Sequence, residues 1–171
     1  MKAHFNPYFF ILFALQESEH IKYRNYEEND KFYKQSVLEL YCQKAGDIPC
    51  YVAVDVDENP NAVVGFIATT IPYEIPEWEE ADVRKKMPGD KKRNGVFGNI
   101  DYLEVVTDYR TKGIGSKLLE HSIHRGETTK KFLAMTVTVL PEDVRAIGLY
   151  NRYGFVEVFS DESYYYLARY Y

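Results

Sequence analysis

A turn that carries two glycines and two basic residues is the part of the sequence with the clearest chemistry. Residues 102–116 are typical of a strand, a short turn and the start of a helix. Arg110 and Lys112 bring positive charge to the turn, and Gly113 and Gly115 have no Cβ atom. Backbone N–H groups at a helix start lack partners within the helix and lie at the positive end of its dipole. The segment therefore predicts a cradle for an anion such as a pyrophosphate.

Two other phosphate-binding patterns do not fit this turn. The dinucleotide fingerprint needs a third glycine at position 118, which is occupied by Leu118. A P-loop that ends at Lys117 needs a glycine at position 111, which is occupied by Thr111. Both patterns are excluded by the residues that are present.

The turn and a later segment together resemble the two motifs of the GNAT N-acetyltransferases. Residues 110–115 read Arg-x-x-Gly-x-Gly, the acetyl-CoA signature of that family, and follow a strand that contains Leu103 and Val105. Residues 143–155 resemble the second motif, Asn-x-x-Ala-x-x-Leu-Tyr-x-x-x-Gly-Phe, with Asp143 at the position where asparagine is commoner. The two motifs have the spacing and the element order of the family.

The resemblance implies that acetyl-CoA is the co-substrate. In the family, the pyrophosphate lies on the backbone amides of this turn. The pantetheine arm pairs with the main chain of the fourth strand, in an opening where the fourth and fifth strands splay apart. The residues expected to contact acetyl-CoA are Leu103, Val105, Arg110, Thr111, Lys112, Gly113, Ile114, Gly115, Ser116, Asp143 and Tyr150.

The reaction implied by the resemblance is direct attack of an amine on the acetyl thioester in a ternary complex. Tyr150 occupies the position that gives a proton to the leaving thiolate in many relatives, which is useful because a thiol has a pKa of about 8.5. A common position of the base falls on Asn99, which cannot accept a proton. The nearest carboxylates are Asp101 and Glu104. The sequence leaves the choice between them open, with Tyr102 or a water as further candidates.

The histidines and cysteines are expected to have no catalytic role. His121 and His124 lie three residues apart on the helix after the turn, but no third ligand with metal spacing is nearby, so no metal is expected. Cys42 and Cys50 are too few for a disulfide framework. We expect them to be free thiols in a reducing compartment.

The elements that must position these residues predict an α/β fold, layered and mixed. They follow the order βα, ββ, βα, βα, ββ. The resemblance implies the GNAT fold, a mixed central sheet of about seven strands that is flanked by helices and splayed between strands 4 and 5. The step of three between Ile100 and Leu103 permits a β-bulge that would aim an amide at the thioester carbonyl. Asn29 or Asp30 is expected to cap the first helix, and Gly154 to end the last one.

The length of 171 residues favours one main domain. Residues 1–20 are expected to be an apolar extension, because the apolar run in 5–15 is too short to cross a bilayer. Residues 21–171 are covered by the resemblance and form the expected acetyltransferase domain. Within it, residues 71–95 are expected to be an insertion or long loop before the fourth strand, with one or more helical turns around 78–87.

The expected function is transfer of an acetyl group from acetyl-CoA to a primary amine, either a protein N-terminus, a lysine or a small amine. The alternatives are an enzyme that uses a longer acyl-CoA and a module that binds acyl-CoA without catalysis. The net charge of −5 argues against a nucleic-acid partner. We expect no membrane partner and a cytoplasmic location. The aromatic N-terminal run is compatible with a homodimer, and the tyrosines at 164–166 with either an acceptor groove or a dimer face.

Overall fold

A mixed sheet of seven strands organises the computed structural model, which describes residues 20–43, 50–91 and 93–171. Four helices in the described residues pack on the two faces of this sheet. The strands are Ile21–Asn25 (β1), Tyr51–Asp55 (β2), Val63–Thr70 (β3), Val96–Val105 (β4), Phe132–Val139 (β5), Val156–Ser160 (β6) and Tyr165–Tyr170 (β7). The helices are Gln35–Cys42 (α1), Glu77–Lys86 (α2), Ile114–Thr128 (α3) and Val144–Arg152 (α4).

The sheet opens between its two parallel strands. The strand order is β1-β2-β3-β4-β5-β7-β6, in which β4 and β5 run parallel and their neighbours antiparallel. The register of the parallel pair runs from Val96 opposite Phe132 to Ile100 opposite Val137. Within the described residues, β4 has no strand partner on its β5 side after Ile100. The predicted fold class and the splay between strands 4 and 5 are therefore confirmed.

A β-bulge lies in β4 where the two strands separate. Two consecutive residues of β3 face Tyr102 and Ile100, so that Asp101 has no residue opposite to it. The extra residue changes the alternation of side chains along the strand. Ile100 and Leu103 consequently pack in one hydrophobic core, whereas Tyr102 packs in a second core on the other face. The bulge that the step of three permitted is present.

Helices α3 and α4 cover one face of the sheet, and α1 and α2 cover the other. Leu118 of α3 is fully buried in the largest core. On the opposite face, Leu38 of α1 and Val83 of α2 are fully buried in two separate smaller cores. Tyr102 packs in the α1 core and Phe97 in the α2 core. The stretch of β4 between these two residues, which includes the bulge, therefore lies between α1 and α2.

The first described helix starts later than predicted. Helix α1 begins at Gln35, and no side chain caps it. Asp30, one of the two predicted caps, is fully buried and accepts hydrogen bonds of 2.6 and 2.8 Å from the guanidinium of Arg24 on β1. The prediction that Asn29 or Asp30 caps this helix is therefore wrong, because the ion pair with Arg24 occupies the Asp30 carboxylate.

The two cysteines are joined. Helix α1 ends at Cys42, and β2 begins one residue after Cys50. This return of the chain brings their Cα atoms to 5.4 Å, within the range that a disulfide requires, and the two sulfur atoms are bonded. The prediction of two free thiols is therefore wrong.

Helix α2 takes up much of the segment that was expected to be a loop. Its first turn contains three acidic residues and its last turn three basic ones, an order that complements the helix dipole. Val83 and Met87 bury its inner side against the sheet. The helical turns expected around 78–87 are thus a ten-residue helix. Neither α2 nor any other helix in the described residues has the length and apolar character needed to span a bilayer.

Candidate active site

The turn between β4 and α3 presents a row of free backbone N–H groups. After the 3-10 turn Thr107–Tyr109, the chain passes through two left-handed residues, Thr111 at φ 65° and Gly113 at φ 81°. The N–H groups of residues 111–116 donate to no described residue, and the first bonded one is that of Lys117, to the Gly113 carbonyl at 3.1 Å. These donors lie at the positive end of a 15-residue helix. Such an arrangement binds anions.

The space above this cradle is open. A Cβ atom placed on Gly113 would meet no atom within 4 Å. A Cβ atom on Gly115 would make ordinary contacts with Leu149 and Val105, at 3.7 and 3.8 Å. Gly113 is also required by its backbone, because its positive φ disfavours residues with a side chain. The cradle therefore fits a phosphate group that approaches the main chain closely.

The basic residues of the turn have different partners. The Nε atom of Arg110 donates to the carbonyl oxygen of Val105 at 2.9 Å, which ties the turn to the end of β4. The ammonium group of Lys112 lies 5.5 Å from the centre of the Tyr109 ring. Lys112 is exposed, so the lysine can move toward a bound anion. The structure thus brings the predicted residues 110–116 together at one site.

The open edge of β4 continues from the cradle into the sheet. Leu103 and Val105 are half-buried and face the core that α3 and α4 cover. At these two residues β4 no longer pairs with β5. An extended edge of this kind can pair through its main chain with a ligand that carries amide groups.

Tyr150 lies on α4 at the base of the same core. Only 3% of its surface is exposed, and its ring contacts Phe155 edge-on with the centroids 5.2 Å apart. Its hydroxyl makes no hydrogen bond to another described residue. Burial, and in second place the negative charge of Asp143, raise the pKa of Tyr150 above its ordinary value. The phenol is therefore protonated at neutral pH.

Asp143 caps α4. Its Oδ1 atom accepts a hydrogen bond of 3.0 Å from the backbone N–H of Ala146, as an N-cap side chain does. This contact accounts for an acidic or amide residue at the start of the second motif. The side chain that was expected to contact the cofactor thus has a structural partner of its own.

Glu104 is surrounded by donors. It accepts hydrogen bonds from the hydroxyl groups of Tyr33 and Tyr102 and from the ammonium group of Lys34, the last at 2.7 Å. Burial of the Glu104 carboxylate raises its pKa, but the bonds from Lys34, Tyr102 and Tyr33 outweigh it, and the net pKa is lowered. Glu104 is therefore an ionised member of an ion pair beside α1, and a weak proton acceptor.

Asp101 lies at the bulge, and its hydrogen-bond partners among the described residues are neutral. Its Oδ2 atom accepts from the hydroxyl of Thr70 at 2.5 Å, and its Oδ1 atom accepts from the amide of Asn99 at 2.8 Å. The hydroxyl of Thr136 on β5 donates to the Oδ1 atom of Asn99 at 2.9 Å, which fixes the amide in this orientation. Three strands therefore orient the Asp101 carboxylate at the point where β4 and β5 separate.

Sequence reasoning did not identify several polar residues of this face. Thr70, Tyr73, Glu79 and Thr136 lie on four different segments of the chain, and Tyr166, one of the tyrosines considered for an acceptor groove, lies on a fifth. Two buried polar atoms in the described residues have no hydrogen-bond partner, the Oε2 atom of Glu79 and the hydroxyl of Tyr166. The sequence does contain one signal for Glu79, its four-residue spacing to Val83 and Met87, which places a carboxylate in line with two apolar residues on one side of a helix.

The histidines of α3 have structural contacts. The ring of His121 is half-buried and stacks on Tyr51 with centroids 3.7 Å apart. Burial, and then the charges of Arg125 and His124, lower the pKa of His121. Nowhere in residues 20–43, 50–91 and 93–171 do three or more His, Cys, Asp or Glu side chains form a group that could hold a metal ion.

The splayed sheet and the anion cradle beside the splay define a transferase of the acyl-CoA-dependent class. A family model described as the acetyltransferase (GNAT) family matches residues 11–155, and the chain belongs to this family. The family predicted from the two motifs is thereby confirmed. Comparison with curated proteins finds no match.

Solved structures of acetyltransferases have the same fold. NAA60 of Arabidopsis thaliana with a bisubstrate analogue superposes with a TM-score of 0.67 at 19% identity, over 88% of this chain and 97% of the other. The same enzyme with acetyl-CoA gives 0.66 at 20%, over 88% and 98%. A GCN5-related N-acetyltransferase of Kribbella flavida gives 0.63 at 16%, over 90% and 99%. At these identities the likeness concerns the fold.

Proposed function

We propose that this protein transfers an acetyl group from acetyl-CoA to a primary amine by direct attack in a ternary complex. The observation that carries the proposal is the row of free N–H groups at residues 111–116, beside the edge of β4 that β5 leaves open. A pyrophosphate and an amide-bearing arm need these two features side by side. Relatives with the same fold were solved with acetyl-CoA or a bisubstrate analogue.

The cofactor side of the proposal uses mainly backbone groups. Residues 111–116 hold the pyrophosphate through their N–H groups, with Lys112 as a mobile positive charge. The main chain at Leu103 and Val105 pairs with the pantetheine arm. Acetyl-CoA supplies an acetyl group that is already activated as a thioester. The protein therefore needs to position this group, to take one proton from the amine and to give one proton to the leaving thiolate.

Asp101 is the proposed base and Tyr150 the proposed acid. The neutral partners of Asp101 leave its carboxylate able to accept a proton from the amine, whereas Glu104 is held by Lys34 and two tyrosines. The raised pKa of Tyr150 keeps its phenol protonated, as a donor to the leaving thiolate must be. Hydrogen bonding thus supports Asp101 over the alternative that the sequence left open.

Thermal unfolding with acetyl-CoA, CoA and ATP tests the proposal. A ligand at 100 times its Kd stabilises the folded state by about 2.7 kcal/mol, which raises Tm by roughly 5 to 10 °C for a domain of this size. We expect this shift with acetyl-CoA and CoA and not with ATP. Gly113→Glu should abolish the shift, because it puts a strained, negatively charged residue into the cradle.

Gly154→Glu is the matched control for this experiment. Gly154 has φ 78°, close to the 81° of Gly113, and a Cβ atom on either glycine would meet nothing within 4 Å. The two variants therefore carry similar backbone strain and the same added charge, but only one of them lies in the cradle. Absence of a shift with saturating acetyl-CoA in the wild type would overturn the proposed function. An equal loss in both variants would show that the cradle is not the binding site.

A further inference from the structure

A strip of polar side chains crosses the face of the sheet between α1 and α2. We call it the polar lane and define it by Tyr73, Glu79, Asn99, Asp101 and Tyr166. Asp101 marks one end, at the splay of β4 and β5. Glu79 and Tyr166 mark the other, where α2 covers β7. Burial, and then the negative charges of Glu79 and Asp101, raise the pKa of Tyr73, so that its ring lies within the field of both carboxylates.

Glu79 stands where the pattern of its helix calls for an apolar residue. It lies one turn before Val83 and two turns before Met87, which are 0% and 3% exposed and pack against the sheet. Side chains four residues apart lie on the same side of a helix, so that Glu79 is directed toward the sheet. The neighbouring Glu80 lies on another side and is paired with Arg84 at 2.6 Å. A carboxylate on the core-facing side of α2 requires a partner.

The described residues do not supply that partner. The Oε2 atom of Glu79 and the hydroxyl of Tyr166 are buried without a hydrogen bond, and Tyr166 as a whole is only 3% exposed. Buried polar groups in proteins are nearly always hydrogen-bonded, since leaving them unpaired is costly. Burial raises the pKa of Tyr166, the approach of the Thr136 hydroxyl lowers it, and the approach of the Glu79 carboxylate raises it further, so that this phenol lies beside both side chains.

Positive charge is also lacking in the polar lane. The partners of Asp101 are an amide and a hydroxyl, both neutral. The ammonium group of Lys34, at the start of α1, is bound to Glu104. Two carboxylates in a partly buried strip, neither of them paired with a described lysine or arginine, favour a ligand that brings cations.

We propose that the polar lane binds an acceptor with two amino groups, a short aliphatic diamine, with one nitrogen at Asp101 and the second, as an ammonium group, at Glu79 and Tyr166. This inference rests on the proposed function and adds the class of acceptor to it. Three hydrogens of an ammonium group match the orphan oxygen atoms at the Glu79 end. Helix α2, which contributes Glu79, lies in the segment 71–95 that carries neither of the two sequence motifs.

The transfer step itself leaves the second nitrogen untouched. The neutral nitrogen at Asp101 forms a bond with the acetyl carbon and gives one proton to Asp101. The carbon–sulfur bond breaks, its electron pair stays on sulfur, and the thiolate takes a proton from Tyr150. The products are a monoacetylated diamine and CoA, and both protein groups recover their protonation states by exchange with solvent.

Calorimetric titration of the CoA-loaded protein with two matched amines tests the inference. The ligands are 1,4-diaminobutane and 1-aminopentane, which have the same chain length and differ in an ammonium or a methyl group at the far end. We expect the wild type to bind the diamine at least about tenfold more tightly, the effect of one charged hydrogen-bonded group. Glu79→Gln should remove most of this preference and leave the affinity for the monoamine unchanged.

Two further variants make the result specific to the polar lane. Tyr166→Phe removes only the orphan hydroxyl and should weaken diamine binding in the same direction, by a smaller factor. Glu77→Gln removes an exposed carboxylate from the same helix and should change neither affinity. Equal affinities of the wild type for the two amines, no detectable binding of either, or an unchanged preference in both Glu79→Gln and Tyr166→Phe would overturn the inference. Because binding is measured without turnover, this failure is distinct from that of the proposed function, which acetyl-CoA stabilisation decides.

Discussion

The anion cradle and the polar lane recognise ligands by different means. The cradle is one continuous stretch, residues 111–116, and its donors are backbone N–H groups. The polar lane takes side chains from β4, β7, α2 and the segment before α2, which are far apart in the sequence. A backbone site tolerates many side chains as long as the turn is preserved, whereas a side-chain site changes with each substitution. This difference predicts that one fold keeps its cofactor while its acceptor varies.

The two regions also differ in the free-energy cost of their polar groups when no ligand is bound. The N–H groups of the cradle are near the surface, where water can form hydrogen bonds with them. Leaving the cradle without a ligand therefore costs little free energy. At the far end of the polar lane, the Oε2 atom of Glu79 and the hydroxyl of Tyr166 are shielded from solvent. A buried unpaired group costs about 1 to 3 kcal/mol. The acceptor face therefore gains more from a well-matched ligand and discriminates more strongly between ligands.

The largest expected effect separates the two carboxylates of β4. Asp101→Asn should lower kcat by about 100-fold or more, the usual contribution of a general base. Glu104→Gln should lower it by less than about threefold, because Glu104 is already bound to Lys34 and two tyrosines. Both kcat values are measured at pH 7 with saturating acetyl-CoA and acceptor.

These two variants control for each other. Each removes one negative charge from the same strand, and the positions are three residues apart. A general loss of charge on this face would affect both equally. A large loss of kcat in Glu104→Gln, with Asp101→Asn nearly as active as the wild type, would reverse the assignment of the base.

A smaller effect is expected at the cofactor side, from Tyr150→Phe. We expect kcat to fall about tenfold or more at pH 7, because the leaving thiolate then lacks its proton donor. The defect should shrink above pH about 8.5, where the thiolate is stable without a proton. Since the pKa of Tyr150 is raised, this group should cause no loss of wild-type activity on the alkaline side below pH about 10.

Tyr153→Phe is the matched control for Tyr150→Phe. Tyr153 follows one turn later, and its hydroxyl donates to the surface residue Glu120 at 2.7 Å. The Tyr153→Phe variant should change kcat by less than about twofold at any pH. A defect in Tyr150→Phe that is the same at pH 6.5 and pH 9.5 would assign this tyrosine a packing role only.

The cofactor side was largely predictable because its signals are local. A strand, a positive-φ glycine and a helix start follow one another within residues 102–116, so that neighbours in sequence are neighbours in space. Gly154 likewise follows the last helix with the expected positive φ, at 78°. The spacing of three between Ile100 and Leu103 predicted that a bulge was possible. Core residues in a regular strand are two positions apart, so a spacing of three indicates an extra residue.

The acceptor side was not predictable because it depends on register between strands. Thr70, Asn99 and Thr136 come together only through the pairing of β3 with β4 and of β4 with β5. The choice between the two carboxylates of β4 likewise depends on where Lys34 lies. The wrong cap at Asp30 has the same origin, since its side chain is bound by Arg24 of another element. Local propensity does not contain these tertiary contacts.

The smallest expected effect concerns the stability that the Glu104 cluster contributes. The pKa of Glu104 is lower in the folded protein than its ordinary value, which is about that of the unfolded chain. The contribution of such a carboxylate is fully present above the unfolded pKa of about 4.3, and it is lost as pH falls through the lowered folded value. Glu104→Gln should therefore reduce the free energy of unfolding at pH 7 by about 1 kcal/mol, a modest value because the Lys34 side chain is 45% exposed.

Urea unfolding of the wild type and Glu104→Gln at pH 7, 5 and 3 measures this contribution. The difference between the two proteins should be similar at pH 7 and 5 and should decrease toward pH 3, as the wild-type carboxylate takes up a proton. Glu77→Gln, which changes an exposed carboxylate of α2, should show no such convergence. A difference that stays constant down to pH 3 would mean that Glu104 stabilises the fold by packing, and its ion pair with Lys34 would then no longer explain why Asp101 is the better base.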